Sequence, residues 1–134
     1  MNVSAVFLMY GTNDAKVHPF AMEPFKKEWL SLCKRFMNMT SKPDIFVTIP
    51  PPLYMDGYVP GSRHIYNDLI SKEIPKMAKE CGVGDDQIID LFSAMGGANL
   101  TMPQLYCDHR WCDGFHPVDA GQDIMAKEIM NTMM

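Results

Sequence analysis

Nowhere does this sequence contain an apolar run approaching the roughly 18–20 residues that span a bilayer. Its amino terminus lacks the basic segment and small-residue cleavage site of a signal peptide. As written, the chain is expected in the cytoplasm; a missing segment before Met1 would leave secretion open. Internal repeats, low-complexity tracts and linkers are also absent, and charge of neither sign collects into a block. A formal net charge of −4 offers nucleic acid or an anionic membrane no basic surface, so neither is expected as a partner. What remains is 134 residues, 47% apolar and 21% charged. That is one domain, residues 1–134, large enough for a core but short for a complete multi-stranded α/β enzyme.

The four cysteines leave the redox compartment open. Cys33 and Cys81 fall on apolar helix faces, where a buried free thiol is the ordinary state. Cys107 and Cys112 could pair, bind a metal or do neither. The thirteen methionines are spread at core-like spacings and read as packing material.

Taken in order, Val3 to Met9 is a short apolar run, the mark of a strand buried in a parallel sheet. It ends in Gly11-Thr12-Asn13-Asp14, a turn at the strand's carboxyl end. Phe25 to Met37 has apolar residues at helical spacing. Ile45 to Ile49 is a second buried strand, stopped by Pro50-Pro51-Pro52 because proline cannot donate to a ladder. His64 to Cys81 is a second amphipathic helix, kinked at Pro75 and capped by Gly82. Gln87 to Phe92 is a weaker third strand, Ser93 to Arg110 a long loop, and Asp119 to about Met130 a last helix with Pro117 in its first turn. Strands alternating with helices argue a parallel α/β sheet covered on both faces, with its site outside the carboxyl ends of the strands.

The chemistry concentrates in Asp113-Gly-Phe-His116-Pro117. A carboxylate three residues before a histidine can accept its Nδ1–H, fixing the tautomer and leaving Nε2 to take a proton from a nucleophile. Asn13, at the end of the first strand, is a side-chain donor at the same edge of the sheet.

A buried strand ending in Gly-x-Asn-Asp (Gly11 to Asp14), with Asp-x-x-His-Pro (Asp113 to Pro117) near the carboxyl terminus, resembles the SGNH, or GDSL-like, hydrolases. These are esterases, lipases and carbohydrate deacetylases. The resemblance implies a three-layer flavodoxin-like α/β fold with a parallel sheet, incomplete here at the amino-terminal side. It implies Asn13 as oxyanion donor beside Gly11 in the strand-end turn, His116 as general base and acid, and Asp113 as its orienter. It also implies a small acyl or acetyl ester as substrate, such as an acetylated sugar, with no metal or organic cofactor. Tyr54 and Trp111, among the aromatics Tyr54, Tyr58, Tyr106 and Trp111, are the candidate substrate walls.

The departure from the family is as informative. Its nucleophilic serine stands in a Gly-Asp-Ser motif before the Gly-x-Asn strand, and neither that motif nor the intervening oxyanion glycine occurs here. Ser93, after the third strand, is the least implausible substitute, and no motif supports it. Ordinary serine-dependent ester hydrolysis by this polypeptide alone is therefore not expected. The strand Val3–Met9 would also be left as an apolar edge, a template for self-association. Two other classes stay open. One is a non-catalytic relative acting as a binding or interaction protein. The other is a small zinc module using Cys107, His109, Cys112 and His116.

Overall fold

The apolar runs on either side of the first helix pair side by side as the sheet. In a computed structural model describing residues 2–56, 58–99, 103–107 and 115–134, β1 (Ala5–Leu8), β2 (Asp44–Ile49) and β3 (Ile88–Asp90) form a parallel sheet in that order. The helical elements are α1 (Met22–Met37), α2 (Ser62–His64), a π-helical segment (Ile65–Ile70), α3 (Ser71–Cys81), α4 (Leu91–Ala94) and α5 (Asp119–Met133). No described helix is long and apolar enough to cross a membrane.

The parallel register pairs Val6 with Ile45, Leu8 with Val47, and Val47 with Ile88. Alternation along the strands puts these side chains on one face. They join Trp29, Cys33, Ile74 and Met77 of α1 and α3 in the main core. Each fully buried aliphatic chain there, such as Ile70 or Ile74, contributes about 1.5–3 kcal/mol of apolar burial. A Lys26–Glu80 ion pair at 2.8 Å also joins the two helices at the surface.

The opposite face is covered unevenly, which corrects the expectation of a sheet buried on both sides. Its residues run from Ile89 and Thr48 to Phe46 and Phe7 across the register. Ile89 and Thr48 are buried, with α5 lying against β3. Phe46 is half-buried, and Phe7, stacked on it with ring centroids 4.9 Å apart, is 45% exposed. Among the described residues, β1 pairs only with β2 and forms an edge of the sheet.

Four further expectations change. The third strand stops at Asp90, because the Asp90 carboxylate accepts the Ser93 N–H at 2.9 Å and caps α4 instead. The segment expected as one helix from His64 to Cys81 starts at Ser62 and passes through a π-helical stretch. That stretch ends at Ile70, one residue before the carbonyl that Pro75 has no N–H to reach. Pro117 lies outside the last helix, bridged to Tyr106. Finally, Cys33 and Cys81 are not free thiols: they form a disulfide between α1 and α3. Each cysteine lies on the core-facing side of its own helix, and packing both helices on one sheet face brings the two together.

This cross-link closes a 48-residue separation, worth about 4 kcal/mol in loop entropy. The Cys33→Ala/Cys81→Ala protein is expected to unfold at clearly lower urea, with the change in midpoint corresponding to about 2–4 kcal/mol. Unfolding curves that coincide for the two proteins would exclude a structural role for the bond.

Candidate active site

Three segments meet beyond the carboxyl ends of the strands. The first follows β1. Gly11 is buried with φ at +126°, and a Cβ there would lie 2.8 Å from Ile70. Only glycine fits both the backbone and the close approach. The Ala15 N–H donates to the Gly11 carbonyl at 3.1 Å, folding a tight turn that leaves Asn13 at the surface. The Asn13 Oδ1 accepts a hydrogen bond from Lys16 Nζ at 3.0 Å.

The second segment follows β2. Three consecutive prolines end the ladder and leave carbonyls that need donors. Tyr66 Oη donates to the Pro50 carbonyl and Tyr106 Oη to the Pro52 carbonyl, each at 2.5 Å and each buried. Asn67 completes the clamp: its Oδ1 accepts the Leu53 N–H and its Nδ2 donates to the Leu53 carbonyl, both at 2.9 Å. Burial raises the pKa of both tyrosines well above the ordinary phenol value, so they remain donors throughout the physiological range.

Farther along this loop, Gly61 and Arg63 N–H groups donate to the Asp56 carboxylate and hold its pKa below the usual carboxylate range. That contribution is in place above the unfolded aspartate value of about 3.9 and is lost as pH falls through the lowered folded one.

The third segment carries His116. The Cys107 N–H donates to the His116 carbonyl at 3.3 Å, and the Val118 N–H donates to the Leu105 carbonyl at 3.0 Å. Tyr106 bridges antiparallel to Pro117 between them. His116, exposed at the surface, is thus held on a two-strand tie. Behind it, a Cβ on Gly121 would stand 2.6 Å from the Leu105 carbonyl oxygen, so α5 packs against this tie only with glycine there.

Phe115 links this segment to the first. Its ring lies 5.1 Å beneath Lys16 Nζ and 6.5 Å from the ring of Tyr58, and it packs on the main core. The Asn13 turn and the His116 segment are therefore linked through Lys16 and Phe115. Asp113 and Trp111 lie outside the described residues, as do His109 and Cys112. Tyr54 is half-buried and stacked on Tyr106 in a second small core, whereas Tyr58 is 92% exposed beside Phe115. Cys107 is disulfide-bonded. A cysteine in a disulfide has no thiolate to give a metal, which removes a ligand from the zinc reading. Ser93 Oγ donates to the Asp90 carboxylate at 2.7 Å, as part of a helix cap. Sequence reasoning missed Lys16, Phe115 and the Tyr66–Asn67–Tyr106 clamp. The triple proline was the available signal for the clamp, since its carbonyls had to find donors elsewhere.

No family model matches this sequence, and no curated protein matches it. Solved structures do. A peptidoglycan O-acetylesterase superposes with a TM-score of 0.67 at 17% identity, over 97% of this chain and 36% of its own. A protein assigned as an acylhydrolase, from Bacteroides fragilis, gives 0.60 at 19% identity, over 97% of this chain and 61% of its own. The chain thus spans less than two thirds of either structure. It has the parallel α/β architecture expected for the SGNH hydrolase fold, with three strands in the sheet among the described residues.

Tyr106→Phe leaves the buried Pro52 carbonyl without its donor while barely changing shape. The expected cost is about 1–3 kcal/mol in denaturant unfolding, together with displaced amide resonances for Cys107 and Val118. Wild-type stability in this variant would show that the clamp does not hold the His116 tie.

Proposed function

We propose that this chain carries the oxyanion-donor and general-base part of an SGNH-type ester hydrolase site acting on small acetyl esters. The observation that carries the reading is the meeting of the Asn13 turn and the His116 tie at one sheet edge, bridged through Lys16 and Phe115. In the proposed chemistry, His116 Nε2 removes the proton of an attacking hydroxyl as its oxygen bonds to the acyl carbon. The Asn13 Nδ2–H donates to the oxyanion that forms. Collapse of the intermediate expels the alkoxide, which takes the proton back from the imidazolium. Asp113 would orient the ring. The exposed Tyr58 ring beside Phe115 suits the apolar face of a sugar better than Tyr54, whose ring is spent on Tyr106.

A serine hydroxyl brought from outside these 134 residues would supply the efficient nucleophile. Without it, water is the acceptor, and a base with an oxyanion donor still leaves part of a triad's rate enhancement. Slow 4-nitrophenyl acetate hydrolysis above buffer is expected from this chain. It should fall to background in His116→Ala and at least about tenfold in Asn13→Ala. Equal rates in all three proteins would reduce the activity to unspecific imidazole reactivity and overturn the reading.

We further propose self-association through the Val3–Met9 edge. The stretch from Val3 to Tyr10 has no charged residue to repel a second copy, and Phe7, Met9 and Tyr10 are each about half exposed. Size-exclusion chromatography with light scattering should give a dimer or larger species at micromolar concentration, shifted to monomer by Phe7→Lys. A wild-type monomer at every concentration would refute it.

A further inference from the structure

We propose that Lys16 is a positioning residue for the Asn13 side-chain amide, holding its Oδ1 so that Nδ2 is the end left to donate. The inference rests on the hydrolase reading for its catalytic consequence, but not for its geometry. A primary amide has one accepting and one donating end, and its terminal torsion is soft. An oxyanion donor is useful only if that torsion is settled before charge develops. Asn13 opens a short 3-10 turn (Asp14–Lys16), yet its side chain makes no capping bond to that turn's backbone. Its Oδ1 instead accepts from Lys16 Nζ at 3.0 Å.

An ammonium has donors and no acceptor, so only the oxygen end of the amide can face it. The Nδ2 hydrogens must then point away from the lysine. Charge on Nζ also polarises the amide and strengthens Nδ2–H as a donor. An exposed lysine–asparagine contact three residues apart would by itself hold little. Here the lysine is held a second time, with Nζ 5.1 Å over the Phe115 ring in a cation–π contact. Phe115 is fixed by the core and by Tyr58, and it immediately precedes His116. The lysine thus joins the Asn13 turn to the segment that carries the base.

The test uses the intact 15N-labelled chain, with the Asn13 side-chain amide assigned by its disappearance in Asn13→Ala. In Lys16→Met the pair of Asn13 amide resonances should shift and exchange faster with water, and Lys16→Arg should restore them toward wild type. Phe115→Leu, which keeps an apolar filler but removes the ring face, should give an intermediate shift. In the ester assay Lys16→Met should lower kcat about tenfold with KM within about twofold, and Lys16→Arg should recover most of the loss. Asn13 resonances unmoved in Lys16→Met overturn the proposal, as does an unchanged kcat in a His116-dependent assay. If wild type shows no His116-dependent turnover, the hydrolase reading fails, and the amide resonances alone decide whether Lys16 positions Asn13.

Discussion

Three prolines at the end of β2 create the demand around which the site is arranged. A strand that ends in Pro50-Pro51-Pro52 stops donating while its carbonyls still need partners, and those carbonyls are buried. An unsatisfied buried acceptor costs about 1–3 kcal/mol, so the donors must come from side chains. Tyr66 and Asn67 come from the π-helical segment, and Tyr106 comes from the tie that holds His116. The same Tyr66 lies under Gly11, where the Asn13 turn begins. One hydrogen-bonding requirement therefore fixes three loops relative to one another. The widened helical turn fits this role, since it is where consecutive residues Tyr66 and Asn67 both reach inward.

Rigidity below the site is supplied by different means. α1 and α3 are joined by apolar packing, the Lys26–Glu80 pair and the Cys33–Cys81 disulfide, all on the core-facing side of the sheet. A disulfide at Cys107 lies near the His116 tie, and bonds of this kind persist in oxidising compartments and are rare in reducing ones. That bears on the cytoplasmic reading of the bare sequence, which rested on the amino terminus and not on the thiols.

Much of the fold was legible because it follows from local rules. The apolar runs, the proline stop after β2, and the periodicity of α1 and α5 need only neighbouring residues to be read. Gly11 was legible because the turn demands such a residue, whereas Asn13, with ordinary right-handed backbone and no capping bond, was legible only through the Gly-x-Asn-Asp pattern. What escaped depends on contacts distant in sequence. The Cys33–Cys81 bond requires knowing that α1 and α3 share a sheet face. The extension of β3 past Asp90 failed because an aspartate followed by Ser93 competes with the ladder for backbone donors, ending the strand two residues early. Tyr54 was read as a substrate wall from its loop, yet its ring stacks on Tyr106, which the proline carbonyl had already drawn inward. Lys16 sits only three residues from Asn13, but its second partner, Phe115, comes from the far end of the chain.

The exposed edge and the proposed chemistry are linked by strand direction. Sites in such sheets lie at the carboxyl ends, and β1 ends there in the Asn13 turn. A strand pairing parallel to the open side of β1 would place its own carboxyl-end loop beside Asn13 and could deliver a hydroxyl to His116. A second copy related by a two-fold axis must pair its β1 antiparallel, which brings its amino-terminal end to that position. Either partner would satisfy the open backbone edge, but only the parallel partner would complete the proposed site. Self-association through β1 and completion by an external nucleophile are therefore mutually exclusive uses of the same backbone edge. A chain occupied with a copy of itself would retain only the water route.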